Sequence, residues 1–224
     1  LEYRGYDSTG AIIQDEDRIV LRKDVGAPSD LIETLGIEEL SGHLFCGQVR
    51  WATFGAVNRE NSQPHEVNCK QHIYGAHNGN ITNTRQLKEY LLREGHIVVS
   101  DNDGEMLVHT VEQFFNLYIC KYSEEEQQDF EIRRKAMRDA VVEAAKHLEG
   151  SYAAVIIDPV SKFIWALKSG SSLYVGVGNY DNNDFILASS DLTAVLKYTK
   201  NLIRLYENEF VEFSNNEYNV FSLR

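Results

Sequence analysis

Apolar residues in the first third of the chain occur in short runs separated by polar turns, a pattern that predicts β-strands. The predicted strands cover Thr9 to Gln14, Arg18 to Arg22, His43 to Val49 and Gln71 to Ala76. A short helix is expected from Asp30 to Leu35, because Gly36 follows it as a helix-ending residue.

The middle of the chain has apolar residues at the helical spacing of about 3.6 residues. Predicted helices cover Thr84 to Arg93, Glu105 to Lys121 and Glu131 to Leu148. The last third returns to short β-rich runs, namely Tyr152 to Ile157, Phe163 to Leu167, Leu173 to Val177, Phe185 to Ala188, Leu202 to Tyr206 and Phe210 to Phe213. Strands, then helices, then strands is the order of an α+β protein. We therefore predict two antiparallel sheets with helices covering their outer faces.

The composition is that of one folded domain. The chain has 224 residues, of which 43% are hydrophobic and 25% are charged, so a sizeable core can be buried. It has three prolines and no Gly/Ser-rich linker, and we expect a single domain over residues 1–224. The formal net charge of -12 argues against a nucleic-acid partner, because binding phosphates needs a basic surface. No apolar run reaches the length of a membrane span, so we expect no membrane partner.

Cysteines and histidines give no sign of a metal site. Three cysteines occur without regular spacing, namely Cys46, Cys69 and Cys120. This usage indicates a reducing, cytoplasmic location, and no cysteine has a neighbouring base that would make it a nucleophile. His65, His72 and His109 lack the spacing and the carboxylate partners of metal ligands, so structural roles are expected for them. We expect no metal and no organic cofactor.

Arg50 ends the third predicted strand and is followed by Trp51-Ala52-Thr53-Phe54-Gly55. Its planar guanidinium can hold a carboxylate with two parallel hydrogen bonds. The alternative is a strand-end arginine stacked on Trp51.

The fourth strand leads into His77-Asn78-Gly79-Asn80. The side-chain amide of Asn78 and the backbone N–H of Gly79 could form an oxyanion hole. Asn-Gly is also the commonest two-residue hairpin turn. A helix rather than a second strand is predicted after this segment, which favours the oxyanion hole.

Asp103 precedes the predicted helix that begins at Glu105. Aspartate is common at the N-cap of a helix, where it needs no ligand. An N-cap role and a binding role for this carboxylate are compatible.

Four segments together resemble one known family. They are Leu1-Glu2-Tyr3-Arg4-Gly5-Tyr6-Asp7-Ser8, Arg50-Trp51-Ala52-Thr53-Phe54-Gly55, Ala76-His77-Asn78-Gly79-Asn80 and Ser100-Asp101-Asn102-Asp103. The set resembles the glutaminase domain of glutamine–fructose-6-phosphate aminotransferase, a class II glutamine amidotransferase with the N-terminal nucleophile (Ntn) hydrolase fold. The resemblance covers nearly the whole chain and implies a four-layer αββα sandwich, in agreement with the predicted element order.

The resemblance implies roles for individual residues. Arg50 would bind the α-carboxylate of glutamine, Asp103 its α-ammonium, and the loop with Trp51 and Thr53 would close over it. Asn78 and Gly79 would stabilise the oxyanion. The family's nucleophile is an N-terminal cysteine on a first strand that lies ahead of the position matching Leu1, so we expect residues 1–224 alone to be inactive.

The sequence departs from the family's pattern at two positions, and more than one ammonia acceptor is compatible with it. Phe54 and Gln63 stand where the family usually has histidine, and Gln63-Pro64-His65-Glu66-Val67-Asn68 also resembles amidophosphoribosyltransferase. The resemblance implies ammonia transfer to a C-terminal sugar-phosphate domain, with fructose 6-phosphate as the acceptor. The alternatives are an amidophosphoribosyltransferase-type glutaminase or, if the cysteine is truly absent, a non-catalytic glutamine-binding module. A homo-oligomer is neither indicated nor excluded.

Overall fold

The computed structural model describes residues 2–53 and 55–224. Its strands are β1 (Ser8–Asp15), β2 (Arg18–Val25), β3 (Leu44–Arg50), β4 (His65–Val67), β5 (Ile73–Ile81), β6 (Gly150–Asp158), β7 (Phe163–Ser169), β8 (Tyr174–Tyr180), β9 (Asn183–Ser189), β10 (Asn201–Ile203), β11 (Glu209–Phe213) and β12 (Tyr218–Ser222). Its helices are α1 (Pro28–Thr34), α2 (Thr84–Arg93), α3 (Asp103–Ile119), α4 (Phe130–Ala145) and α5 (Leu192–Leu196).

The described strands form three sheets whose ladders are all antiparallel. The largest sheet has the order β12-β11-β7-β6-β5-β4. Two three-stranded sheets have the orders β2-β1-β3 and β10-β8-β9. The sequence predicted two sheets; in the described residues the second sheet layer consists of two hydrogen-bonded sheets, because β3 and β9 are not bonded to each other.

One face of the six-stranded sheet is covered by helices. Side chains of successive strand residues point to opposite faces, and Ile156 of β6 packs with Leu107, Phe115 and Met137 of α3 and α4. Ile156 is fully buried, which stabilises the fold by about 1.5–3 kcal/mol. The side chain of Asn102 begins α3 by accepting a hydrogen bond from the N–H of Gly104.

The other face of this sheet carries both small sheets. Ile157 of β6 packs with Ile12 and Leu44 of the first small sheet. Ala153 of the same strand packs with Val175 of the second small sheet. The short helix α1 contacts the sheet of β2, β1 and β3, and the short helix α5 contacts the sheet of β10, β8 and β9. The layers are therefore helix, sheet, sheet, helix, which confirms the predicted αββα sandwich.

Most predicted elements are present with shifted ends, and three were missed. The elements β4, α5 and β12 escaped the sequence patterns because each is only three to five residues long, too short to show a periodicity. Strand β5 also continues to Ile81, past the point where the apolar run ends. Among the described residues, no helix combines the length and apolar character needed to cross a bilayer.

Candidate functional site

A cavity of about 1240 Å³ lies between β3 and β9, over the six-stranded sheet. Ala153, Val155 and Ile164 line its apolar part. The cavity is also lined by every residue for which the sequence predicted a site role, namely Arg50, Trp51, Thr53, Asn78, Gly79 and Asp103. These residues come from separate segments of the chain, so the fold brings the predicted site together.

Arg50 is the last residue of β3 and is only 6% exposed. Its Nη1 donates to the carbonyl oxygen of Ala56 at 3.1 Å, which ties the guanidinium to the loop that follows the strand. Burial lowers the pKa of Arg50, while the carboxylates of Asp103 and Asp7 act to raise it. An arginine remains protonated under these conditions, so the cavity wall carries a fixed positive charge.

Asp7 holds the loop after Arg50. The backbone N–H of Asp7 donates to the carbonyl oxygen of Arg50 at 3.0 Å, and Asp7 Oδ2 accepts from the N–H of Ala52 at 2.8 Å. Trp51 is 58% exposed, and its ring lies 5.4 Å from that of Tyr6 between centroids. The loop therefore presents a large exposed aromatic side chain at the cavity. The predicted departure at Phe54 lies outside the described residues.

Asn61 is a site residue that sequence reasoning missed. It is 2% exposed, and its Nδ2 donates to the carbonyl oxygen of Ala56 at 2.8 Å. Its Oδ1 accepts from the N–H of Asp101 at 2.9 Å. Asn61 thereby connects the loop that contacts Arg50 to the segment that leads into Asp103.

Asn78 and Gly79 lie inside β5 and pair with Ala153 and Tyr152 of β6. The hairpin-turn alternative is therefore wrong. Gly79 has a φ of 117°, and a Cβ there would lie 2.1 Å from the carbonyl oxygen of Ser151. Glycine is required at this close approach of two strands. Asn78 Nδ2 donates to Ser190 Oγ at 2.7 Å.

Asp103 is the first residue of α3, and the N-cap is Asn102. The N-cap alternative for Asp103 is therefore wrong. Asp103 Oδ2 accepts from the N–H of Ile81 at 2.9 Å and lies 3.1 Å from His77 Nε2. Burial alone would raise the pKa of Asp103, but His77 and the Ile81 N–H outweigh it and hold this pKa below its usual value. Asp103 is thus a carboxylate near neutral pH.

Gln63 holds strand β5 through two hydrogen bonds of its side-chain amide. Its Oε1 accepts from the N–H of His77 at 2.7 Å, and its Nε2 donates to the carbonyl oxygen of His77 at 3.1 Å. Both bonds are buried, and they fix the backbone of β5 immediately before Asn78. A primary amide provides this donor–acceptor pair in any protonation state.

Similar proteins agree on one family. No protein-family model matches the chain. The glutamine–fructose-6-phosphate aminotransferase of Sulfolobus acidocaldarius is 35% identical over 217 residues, which is 96% of this chain and 33% of that protein. The aminotransferase of the same name from Clostridium perfringens is 33% identical over 99% of this chain and 33% of its own length. The chain spans about a third of the length of these curated relatives.

Solved structures show the same fold. Glutamine phosphoribosylpyrophosphate amidotransferase from B. subtilis has a TM-score of 0.75 at 20% identity, covering 100% of this chain and 44% of its own. A glutamine amidotransferase from Pseudomonas aeruginosa has a TM-score of 0.64 at 15% identity, covering 95% of this chain and 86% of its own. Over nearly its whole length the chain is similar to one third of the glutamine–fructose-6-phosphate aminotransferases, and it has the fold of glutamine amidotransferases.

Two of the expectations about histidine are wrong. His72 Nε2 lies 2.7 Å from Glu66 Oε1, and His109 Nδ1 lies 2.9 Å from Glu112 Oε2. Both histidines therefore have the carboxylate partners that were expected to be absent. The contact of His72 could not be foreseen from spacing, because Glu66 meets His72 only when β4 pairs with β5.

Cys46 lines the cavity but does not resemble an activated nucleophile. Burial raises the pKa of its thiol to about 12. The thiol therefore stays protonated near neutral pH, which agrees with the expectation from the sequence.

Proposed function

We propose that this domain hydrolyses glutamine to glutamate and ammonia in the cavity between β3 and β9. One observation carries the proposal: a buried arginine, an ionised aspartate and an Asn-Gly pair line a single cavity, although they come from distant segments. This is the set of groups that binding an α-amino acid and attacking its side-chain amide require.

Arg50 and Asp103 are the proposed substrate clamp. The guanidinium would bind the α-carboxylate through two hydrogen bonds, and the carboxylate of Asp103 would accept from the α-ammonium. The Ala56 carbonyl, itself held by Asn61, contacts Arg50, and the Ile81 N–H contacts Asp103, so both groups are positioned before substrate arrives and little ordering is left for binding. Trp51 and Thr53 would then close over the bound molecule.

Asn78 and Gly79 are the proposed oxyanion hole. Asn78 pairs with Ala153, whose side chain packs towards the small sheets, so the Asn78 side chain points to the same side. Its Nδ2 has a second hydrogen besides the one donated to Ser190. That N–H and the Gly79 backbone N–H would meet the negative oxygen that forms when the amide carbon is attacked.

The nucleophile in this proposal is the family's N-terminal cysteine. In the described part of the chain, β3 and β9 are outer strands of their sheets, and both line the cavity. Neighbouring strands in a sheet lie about 4.8 Å apart, and a strand between β3 and β9 would join the two small sheets. We propose that the cysteine-bearing strand lies there, with its sulfur facing Asn78.

The reaction then follows the chemistry of a thiol nucleophile. The α-amino group of the N-terminal cysteine takes the proton of that residue's own thiol, and the sulfur attacks the side-chain amide carbon of glutamine. The carbon–nitrogen bond breaks as the proton passes to the leaving ammonia, which leaves a γ-glutamyl thioester. Water attacks this thioester and releases glutamate and the free thiol.

For the acceptor we propose a sugar phosphate, fructose 6-phosphate, bound by a domain that follows this one. The support is that the relatives at 33–35% identity are named glutamine–fructose-6-phosphate aminotransferases. The amidophosphoribosyltransferase similarity is at 20% identity and supports the fold alone. We further propose that residues 1–224 are one glutaminase domain and that the protein is cytoplasmic.

The test is glutamine hydrolysis by the full-length protein, with glutamate release measured at varied glutamine concentration. Arg50→Lys should raise KM, because lysine cannot reproduce two parallel bonds. Asp103→Asn should also raise KM, since the substrate ammonium loses its ionic partner. Arg18→Lys, on the exposed start of β2, is the matched control. An unchanged KM in both cavity variants would overturn the proposed clamp.

A further inference from the structure

A second cluster of reactive side chains lies outside the cavity. It consists of Cys69 in the loop before β5, His96 after α2, and His109 and Glu112 on α3. None of the four lines the cavity described above. His96, His109 and Glu112 are buried, and Cys69 is half-buried. The proposed glutaminase chemistry uses none of them.

Three ligand-type atoms of this cluster form a nearly equilateral triangle. His96 Nδ1 lies 3.2 Å from His109 Nδ1 and 3.1 Å from Glu112 Oε2. His109 Nδ1 lies 2.9 Å from the same carboxylate oxygen. Donor atoms around a tetrahedral zinc ion, with zinc–nitrogen distances of about 2.0–2.1 Å, are separated by roughly 3.3 Å. The triangle is close to this spacing.

The outer nitrogens of both histidines have acceptors of their own. His96 Nε2 lies 2.8 Å from Gln113 Oε1, and His109 Nε2 lies 3.4 Å from Glu105 Oε1. These oxygens hold a hydrogen on each Nε2, so a neutral imidazole directs an unprotonated Nδ1 into the triangle. A second acceptor behind each histidine is the arrangement found around metal ligands.

Cys69 completes a set of four. One ligand atom from each of the four side chains lies within 4.8 Å of the others. The N–H of Ile97 donates to Cys69 Sγ at 3.3 Å, which helps to fix the position of the sulfur. Glu112 Oε1 accepts from the N–H groups of Lys70 and Gln71, so the carboxylate is fixed to the same loop as the thiol.

We propose that Cys69, His96, His109 and Glu112 bind one structural zinc ion. Thiolate, imidazole and carboxylate are the ligands that zinc takes in proteins, and a four-coordinate set leaves no open position for catalysis. The two anionic ligands balance the charge of the ion. The ion would join the loops before β5 and after α2 to α3, whose first residue is Asp103 in the substrate clamp.

The alternative to a bound zinc ion is a protonated His109, in which a hydrogen on the imidazole lies where the metal would be. Burial would lower the pKa of His109, but Glu105 and Glu112 outweigh it and raise this pKa to about 8. An imidazolium between two carboxylates would also satisfy these groups. The two accounts differ in metal content, which can be measured directly.

The test uses the full-length protein, stripped with a chelator and then supplied with zinc or cobalt(II) alone. Mass spectrometry of bound metal should give one zinc per chain, and zinc should raise the melting temperature of the stripped protein. Cobalt(II) should give the absorption of a tetrahedral site with a thiolate charge-transfer band. Cys69→Ser should lose that band, while Cys120→Ser, which removes the exposed thiol after α3, should keep it.

The histidine ligands are tested in the same way. His109→Gln should abolish stoichiometric zinc binding, while His72→Gln, which removes a histidine–glutamate contact at the surface, should leave it intact. No zinc bound to the reloaded wild-type protein would overturn the proposal without recourse to any variant. A cobalt spectrum unchanged by Cys69→Ser would also overturn the four-ligand site. These readouts do not involve glutamine, so they stand or fall apart from the glutaminase activity.

Discussion

The two faces of the six-stranded sheet differ in what their buried charges contact. On the helix-covered face, Arg133 Nε and Nη2 donate to the two carboxylate oxygens of Asp158 at 2.8 and 2.9 Å. Arg134 Nη2 and Arg138 Nη1 both donate to Oε1 of Glu212. On the cavity side, Arg50 Nη1 donates to the carbonyl oxygen of Ala56, and Asp103 Oδ2 accepts from the N–H of Ile81 and lies 3.1 Å from His77 Nε2.

This difference separates stability from function. Paired charges on the helix side satisfy each other, and removing one leaves its partner buried without compensation. On the cavity side, contacts to backbone help to fix the positions of Arg50 and Asp103, and both side chains line the cavity in which we propose that glutamine binds. The same strands thus serve the core on one face and a binding site on the other.

The largest effect is expected on the helix side. Asp158→Ala leaves the Arg133 guanidinium buried without its carboxylate, which should destabilise the protein by about 3–5 kcal/mol. Chemical denaturation measures this loss. Replacing both residues by Arg133→Met and Asp158→Leu should recover much of it. KM for glutamine should not change, and a large KM change without loss of stability would contradict the separation of the two faces.

On the cavity side, Asn78→Ala should act on the rate. Removing one oxyanion donor lowers kcat by about 10²–10³ while leaving KM nearly unchanged. Steady-state kinetics of the full-length protein measure this, with Asn219→Ala on the exposed edge strand β12 as the control. A normal kcat for Asn78→Ala would remove Asn78 from the proposed oxyanion hole.

A smaller effect is expected at Asn61. Asn61→Ala deprives the Ala56 carbonyl and the Asp101 N–H of buried partners, at a cost of about 1–3 kcal/mol. Because these groups position both sides of the clamp, KM should rise more than kcat falls. Asn61→Asp retains the acceptor for the Asp101 N–H but loses the donor to the Ala56 carbonyl, so it tests the two contacts separately. Stability loss with an unchanged KM would mean that Asn61 serves the fold alone.

The smallest effect is expected from mild acid. The pKa of Asp103 is depressed, so its carboxylate stays charged, and the stability it contributes is present above the unfolded-state pKa and lost only as pH falls through the folded value. KM for glutamine should therefore stay flat between about pH 5 and pH 7. A KM for glutamine that rises as the pH falls from about 7 to about 5 in the wild-type protein, but not in Asp103→Asn, would show that Asp103 becomes protonated in this range.

The sequence predicted the layers and the residues that line the cavity, because both depend on local signals. Periodicity located α2, α3 and α4, and the Arg50 and Asn78-Gly79 segments carried a resemblance to one family. The role of Asn61 depends on contacts to Ala56 and Asp101 that only the folded chain creates. The three-sheet arrangement likewise depends on which strand edges meet.

Some local signals were present but misjudged. Asn102 stands one residue before the observed start of α3 and is as good an N-cap as Asp103, so the sequence did not decide between them. By contrast, the hairpin that Asn-Gly usually forms was correctly set aside, because a helix is predicted after it, and Gly79 lies at the close approach of β5 to Ser151. His109 has Glu105 and Glu112 four residues before it and three after, a helical spacing that could have indicated contact.

The most direct test of the account is a crystal structure of the full-length protein with L-glutamate, the product of the proposed reaction. We expect glutamate in the cavity, with its α-carboxylate on the Arg50 guanidinium, its ammonium on Asp103 and its side-chain carboxyl group at Asn78 and Gly79. Glutamate bound in the opposite orientation, or outside the cavity, would contradict the assignment of this face to substrate.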